Sequence, residues 1–257
     1  MFEYHPPKNL LANRNILVTG AGHGIGRAAA LAFAGHQASV ILLDRDVDAL
    51  ESVYDAIEEQ DGPQPAIYPM DLLGAREQDY LQLAETVEQT FGALDGLLHN
   101  AAQLRLLSRI DDYDAETWFQ VMQVNLNAPF LLTQACLPQL RQSRDASLLF
   151  TSDRVGRQAK AYWGAYAASK FGIEGLMQVL AEELRNSPIR VNSIAPGPTR
   201  TNLRAHAYPG EDPQEIKAPE TLMPLYLWLM GPDGRAVRGQ MIDAEDDELQ
   251  PGTPVAG

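Results

Sequence analysis

Residues 16–27 read Ile-Leu-Val-Thr-Gly-Ala-Gly-His-Gly-Ile-Gly-Arg, an apolar, β-branched run that breaks into four glycines and then into an alanine-rich helical pattern. Such a stretch folds as strand, tight turn and helix. Positions without a side chain let the backbone reverse sharply, and they let an anion approach the amide N–H groups at the start of the helix, which have no partner within it. Gly20, Gly24, Ile25 and Gly26 are therefore candidate phosphate-binding positions. The spacing is Thr-Gly-x-x-x-Gly-x-Gly rather than the commoner G-x-G-x-x-G, and taken alone it also suits a glycine turn that holds nothing.

The remainder of the chain repeats the same alternation. Short apolar runs at 15–19, 38–43, 66–68, 94–99, 147–151, 190–194 and 240–242 are separated by helical patterns at 26–35, 46–60, 75–91, 115–123, 126–141, 163–185 and 219–230. Parallel neighbours need a crossover, and a helix is the usual one, so this rhythm predicts an α/β fold. We expect a single-domain, doubly wound, Rossmann-type sheet of about seven mostly parallel strands with helices on both faces, and ligands at the carboxyl ends of the strands. Pro63, Pro65 and Pro69 place the third strand at an edge, because proline cannot donate to a sheet ladder. Residues 1–242 form the expected dinucleotide-binding and catalytic domain, and 243–257 an acidic, mobile or partner-contacting tail.

Charge and composition narrow the function classes. A net charge of −14 argues against nucleic acid and against an anionic membrane surface, leaving a small molecule as the expected partner. There is no secretory signal pattern, no run of 18 apolar residues and one cysteine, Cys136, so a cytoplasmic location is expected. His5, His23, His36, His99 and His206 lack metal-ligand spacing, and no metal site is predicted.

Asp44 ends the second strand, where a carboxylate can accept from the ribose hydroxyls of NAD and repel the extra phosphate of NADP. NAD is thus the expected cofactor and NADP the alternative, since Arg45 and His23 stand close enough in sequence to pair with a 2′-phosphate. A second role for Asp44, capping the helix that begins near Asp46, stays open. Asp71 after the third strand could accept from adenine, and Asn100 with Ala101 closes the fourth strand beside the expected cofactor; an ordinary turn or cap would also explain these residues. Tyr166 and Lys170 lie one helical turn apart, so the ammonium is placed to stabilise a phenolate that exchanges a proton with a carbonyl or hydroxyl oxygen.

Taken in order, Thr19-Gly20-x-x-x-Gly24-x-Gly26, Asp71, Asn100-Ala101, Asn125, Tyr166-x-x-x-Lys170, and Pro196-Gly197 with Thr199 and Thr201 resemble the short-chain dehydrogenase/reductase family over nearly the whole chain. The runs at 155–158, 163–171 and 224–231 are similar to its YciK-type bacterial oxidoreductase subgroup. The resemblance implies reversible hydride transfer between nicotinamide and a carbonyl/alcohol pair. Tyr166 would be the general acid/base, Lys170 its partner and a ligand of ribose hydroxyls, Asn125 the holder of a water, and Thr201 a neighbour of the carboxamide. It also implies a homodimer or homotetramer paired through the helices beginning near Leu126 and Trp163. Counting back 13 residues from Tyr166 reaches Asp153 where the family usually has a serine that donates to the substrate oxygen; Ser152 is one place early. An ionised Asp153 would accept rather than donate and would raise the Tyr166 pKa. His99-Asn100-Ala101-Ala102 also departs from the family's Asn-Asn-Ala-Gly. Arg105, Arg109, Arg154, Arg157, Arg200 and Arg204 could form an anion-binding rim or be solvated individually. Two other readings remain: a nicotinamide-binding protein with weak or no turnover that acts through a partner, and a lyase or epimerase on the same fold.

Overall fold

The structure, a computed structural model, describes residues 2–246 and 249–251. Seven strands, β1 (Asn15–Thr19), β2 (Ser39–Asp44), β3 (Ala66–Pro69), β4 (Gly96–His99), β5 (Ala146–Thr151), β6 (Ile189–Ala195) and β7 (Met241–Asp243), form one sheet in the order β3-β2-β1-β4-β5-β6-β7. Every pairing is parallel. Val18 pairs with Leu42 on one side and Leu98 on the other, so the winding reverses between β1 and β4 and opens a crevice at their carboxyl ends. The proline-marked β3 is at one edge of the sheet and β7 at the other.

Helices α1 (Gly24–Gly35), α2 (Val47–Glu58), α3 (Glu77–Phe91), α4 (Ala115–Met122), α5 (Ala128–Gln142), α6 (Gly164–Glu183), α7 (Asn202–Ala207) and α8 (Met223–Met230) fill the gaps. Strand alternation sends Ile16, Val18, Val40 and Leu42 to the core shared with α1, α2 and α8, and Leu17, Ile41 and Leu43 to the core under α3, α5 and α6. Two helical patterns differ from expectation. A π turn, Gln123–Asn127, joins α4 to α5, and a 3₁₀ turn, Pro219–Leu222, precedes α8. The short α7, capped by Thr201 Oγ1 accepting from the Arg204 amide at 3.2 Å, was not expected; its six residues give no periodicity to read.

A charged group is built into the core. Arg190, fully buried on β6, pairs with Asp145 at 3.2 Å and donates to the carbonyls of Leu229, Met230, Gly231 and Gly234, which end α8 and the turn after it. Asp145 also pairs with Arg14, just ahead of β1. Burying the guanidinium is tolerable because helix-terminal carbonyls and a carboxylate satisfy it.

Candidate active site

The glycine turn has the geometry that its sequence implied. Gly20 and Gly24 have φ of +67° and +52°, and a Cβ on Gly26 would lie 2.0 Å from the Gly20 carbonyl oxygen. α1 begins without a side-chain cap and without an acidic residue in its first turn, which leaves its leading amides for an anion. Thr19 Oγ1 accepts from the amides of Asn100 (3.0 Å) and Ala101 (3.1 Å) and donates to the Leu98 carbonyl (3.3 Å), fastening the ends of β1 and β4 together.

Asp44 serves its own loop. One carboxylate oxygen accepts from the Gly22 amide at 3.1 Å, the other from the amides of Arg45 at 2.8 Å and Asp46 at 3.2 Å. The cap on α2 is Asp46, which accepts from the Ala49 amide at 3.1 Å, so the capping alternative for Asp44 does not hold. Asp46 also meets His23 Nε2 at 3.0 Å, and this hydrogen bond is the main reason its carboxyl titrates lower than usual. Arg45 is exposed and forms no ion pair among the described residues. Asp71 accepts from the Leu73 amide at 3.1 Å and reaches the cleft beside Met70 and Leu72.

At the opposite end, α6 supplies Tyr166 and Lys170, both buried. Lys170 Nζ donates to the Thr151 carbonyl at 2.8 Å and stands 5.5 Å from the centre of the Tyr166 ring. The Tyr166 hydroxyl donates to Asp153 Oδ2 at 3.3 Å, while Asp153 Oδ1 accepts from the Val155 amide at 3.0 Å and caps the 3₁₀ turn Arg154–Gly156. Burial, then the charge and hydrogen bond of Asp153, hold the phenol well above its ordinary pKa. Burial brings Lys170 down to about 8, against the pull of Asp153 and Glu174. A phenol eased toward neutrality by its lysine is therefore not what this arrangement gives: the ammonium is spent on a carbonyl, and a carboxylate touches the phenol instead.

Ser152 does not stand in for the missing serine. Its hydroxyl is fully buried with no partner among the described residues, and it is Asp153 that reaches Tyr166. Asn125 lies in the π turn and bonds to both backbone groups of Gln103 (2.7 and 3.0 Å) and to Ser169 Oγ (3.1 Å), rather than to Lys170.

Pro196, Gly197, Thr199 and Thr201 continue from β6 along the cleft floor; Gly197 has φ of +69°, and Thr199 donates to its carbonyl at 3.1 Å. A Cβ on Gly197 would lie 2.5 Å from Glu245 Cδ. Glu245 is paired with Lys217 at 3.3 Å and with Arg154 at 2.7 Å, and Arg154 also holds Asp243 at 2.7 Å. The described part of the expected tail thus folds onto the site, with Asp243 as the last residue of β7; residues 247, 248 and 252–257 lie outside the described residues. Nothing in the local sequence could have signalled this, because Arg154 and its acidic partners are some ninety positions apart.

All these candidates except Gly26 and Asn125, which sit behind its wall, line one cleft of about 970 Å³. Trp163 and Tyr208 form an aromatic wall with ring centres 5.9 Å apart; Arg204 lies 3.7 Å over the Tyr208 ring, and Lys160 donates to the Tyr208 hydroxyl at 3.0 Å. Tyr208 was missed because its segment carries no periodic signal. Of the six arginines, Arg109 pairs with Asp111, Arg157 with Glu174 and Arg204 with Glu211, Arg105 bonds to Gln120, and Arg154 holds the acidic segment, while Arg200 is exposed and does not line the cleft.

Residues 14–212 match the family model described as short chain dehydrogenase. The chain is 50% identical over 242 residues to the oxidoreductase YciK of Escherichia coli (strain K12), spanning 94% of this chain and 96% of that protein. A short chain dehydrogenase structure from Pseudomonas syringae superposes with a TM-score of 0.94 at 51% identity, covering 95% of this chain and all of that one. One from Shigella flexneri 2a str. 301, complexed with NADP, does so at 0.91 and 50% identity, covering 93% and 100%.

Proposed function

The chain belongs to the short-chain dehydrogenase family and is an NAD(P)-dependent oxidoreductase, and from that premise we propose that NADP(H) is its working cofactor and Arg45 the residue that selects it. The observation that carries this is the state of Asp44. Its two oxygens already accept three amide protons, so little acceptor capacity is left for a ribose diol, while exposed Arg45 beside it, without an ion pair among the described residues, offers a guanidinium suited to a 2′-phosphate. The NADP complex of a relative at 50% identity supports the same choice. This reverses the preference for NAD drawn from Asp44: an acidic residue at a strand end discriminates only if its oxygens face the ribose unpaired.

The residues fit a dinucleotide. The uncapped start of α1 and the crowded, side-chain-free turn suit a pyrophosphate, Asp71 lies toward the adenine end, and Thr199 and Thr201 flank the nicotinamide end. Bound nicotinamide supplies or accepts the hydride for a small carbonyl/alcohol substrate. Tyr166 holds the proton that passes to or from the substrate oxygen, Lys170 fixes the Thr151 strand end and takes ribose hydroxyls, and Asn125 braces the Gln103 backbone at the cleft edge. Exposed Phe130 on α5 with Phe171 and Val179 on α6 supports pairing of copies through those helices, as a homodimer or homotetramer. No described helix is long and apolar enough to cross a membrane.

The test is calorimetric titration with NADPH and NADH. NADPH should bind at least about tenfold more tightly, as expected for one charged hydrogen-bonded pair, and Arg45→Ala should remove the difference. Equal or tighter binding of NADH by the native chain overturns the proposal.

A further inference from the structure

The carboxylate of Asp153 is oddly placed for a site that handles only neutral carbonyls. It lines the cleft, half-buried, 3.3 Å from the Tyr166 hydroxyl, where negative charge develops on oxygen when a ketone is reduced. The cations whose fields reach it are engaged elsewhere: Arg154 with Asp243 and Glu245, Arg204 with Glu211, and Lys170 with the Thr151 carbonyl. Among the described residues its only hydrogen-bond partners are the Val155 amide and the Tyr166 hydroxyl, so no cation touches it. The carboxylate therefore lines, with no cation in contact with it among the described residues, a cleft walled by Trp163 and Tyr208, whose own cations, Arg204 and Lys160, lie on Tyr208.

We propose that the site has a further activity, reduction of protonated carbon–nitrogen double bonds, with Asp153 as the residue that recognises the iminium N–H and Tyr166 as a neutral neighbour rather than the obligatory proton donor. The inference rests on the oxidoreductase reading above and names a second substrate class for the same cleft. The balance is simple. An imine nitrogen takes one proton from solvent and its N–H⁺ donates to Asp153; hydride from the reduced nicotinamide forms a bond to the imine carbon while the C=N π pair moves onto nitrogen. The products are a secondary or primary amine and oxidised nicotinamide, and the amine takes up a proton to leave as the ammonium. No oxyanion forms, so a carboxylate in the serine's place attracts the substrate instead of opposing the reaction. The high pKa of the phenol is no obstacle either, because nitrogen brings its own proton.

The test compares 3,4-dihydroisoquinoline with 1-tetralone as substrates for the native enzyme with NADPH, and, by calorimetry of the NADP-loaded enzyme, 1,2,3,4-tetrahydroisoquinoline with its neutral oxygen analogue isochroman as ligands. Native enzyme should reduce the imine with kcat/KM at least about tenfold above the ketone, and Asp153→Ser should invert that order. The amine should bind at least about tenfold more tightly than isochroman, and lose that advantage in Asp153→Asn, which keeps the shape but not the charge. A ketone preferred by the native enzyme, or an amine held equally by native and Asp153→Asn, overturns the inference. If neither the imine nor any carbonyl turns over while cofactor binds, the oxidoreductase reading of the cleft fails; the amine titration then still decides whether Asp153 recognises a cation.

Discussion

Tyr166 and Lys170 were readable from four-residue spacing because both lie on one helix, where sequence distance fixes spatial distance. Their energetics were not, since these depend on what β5 and the turn after it bring near. The division of labour between them is testable. Tyr166→Phe should remove ketone turnover and leave NADPH affinity nearly unchanged; Lys170→Ala should weaken both, because the ammonium also ties the Thr151 carbonyl. Equal losses of affinity, read by calorimetry, would make Tyr166 a packing residue. Asp153→Ser should speed ketone reduction at least about tenfold, as expected from replacing an acceptor by a donor at a developing oxyanion. A slower variant would mean that the carboxylate donates a proton there. Asp44 shows the opposite limit: its position could be read, but three amides from its own loop decide what its oxygens can do.

Strands and most helices followed from periodicity because each buries one regular face, and the departures fall where the backbone changes pitch. The π turn around Asn125 and the turn before α8 carry no pattern of their own. The glycine turn is the most tightly constrained connection. Gly26→Ala would press a methyl against the Gly20 carbonyl and the Asn100 side chain, and neither the carbonyl nor the packed start of α1 can yield. Overpacking of this kind typically costs about 1 to 3 kcal/mol, so thermal unfolding should register it, and NADPH affinity should fall with it. Unchanged affinity would place the pyrophosphate elsewhere. β4 gives a pH test. Burial pushes His99, bonded to Thr133 and stacked on Phe150, down to about 3 from 6.5. Between those values the unfolded chain holds a proton that the folded one lacks, so stability falls as pH drops. From pH 7.5 to 5.0 this group should remove about 2 kcal/mol in urea unfolding, a loss that His99→Gln should not show. Parallel pH profiles for the two proteins would contradict a neutral buried imidazole.

Across the whole molecule, a doubly wound parallel sheet with β3 at an edge and ligands at the carboxyl ends of its strands could be anticipated, because crossover handedness and short connections leave few alternatives. Ion pairs joining remote segments could not, since charge on the page of a sequence has no direction. Two such sets among the described residues differ in access to solvent. Arg190 with Asp145 is buried, reached from the surface only by Arg235, whereas Arg154, 52% exposed, grips Asp243 and Glu245 near the surface. Dissolved salt distinguishes them: screening length shrinks from about 10 Å at 0.1 M to about 3 Å at 1 M and reaches only charges in contact with water. Raising ionic strength should therefore loosen the segment after β7 from the Arg154 turn and from Gly197 while the β6–α8 junction stays locked, making this clasp a latch that an electrolyte can open without unfolding the protein.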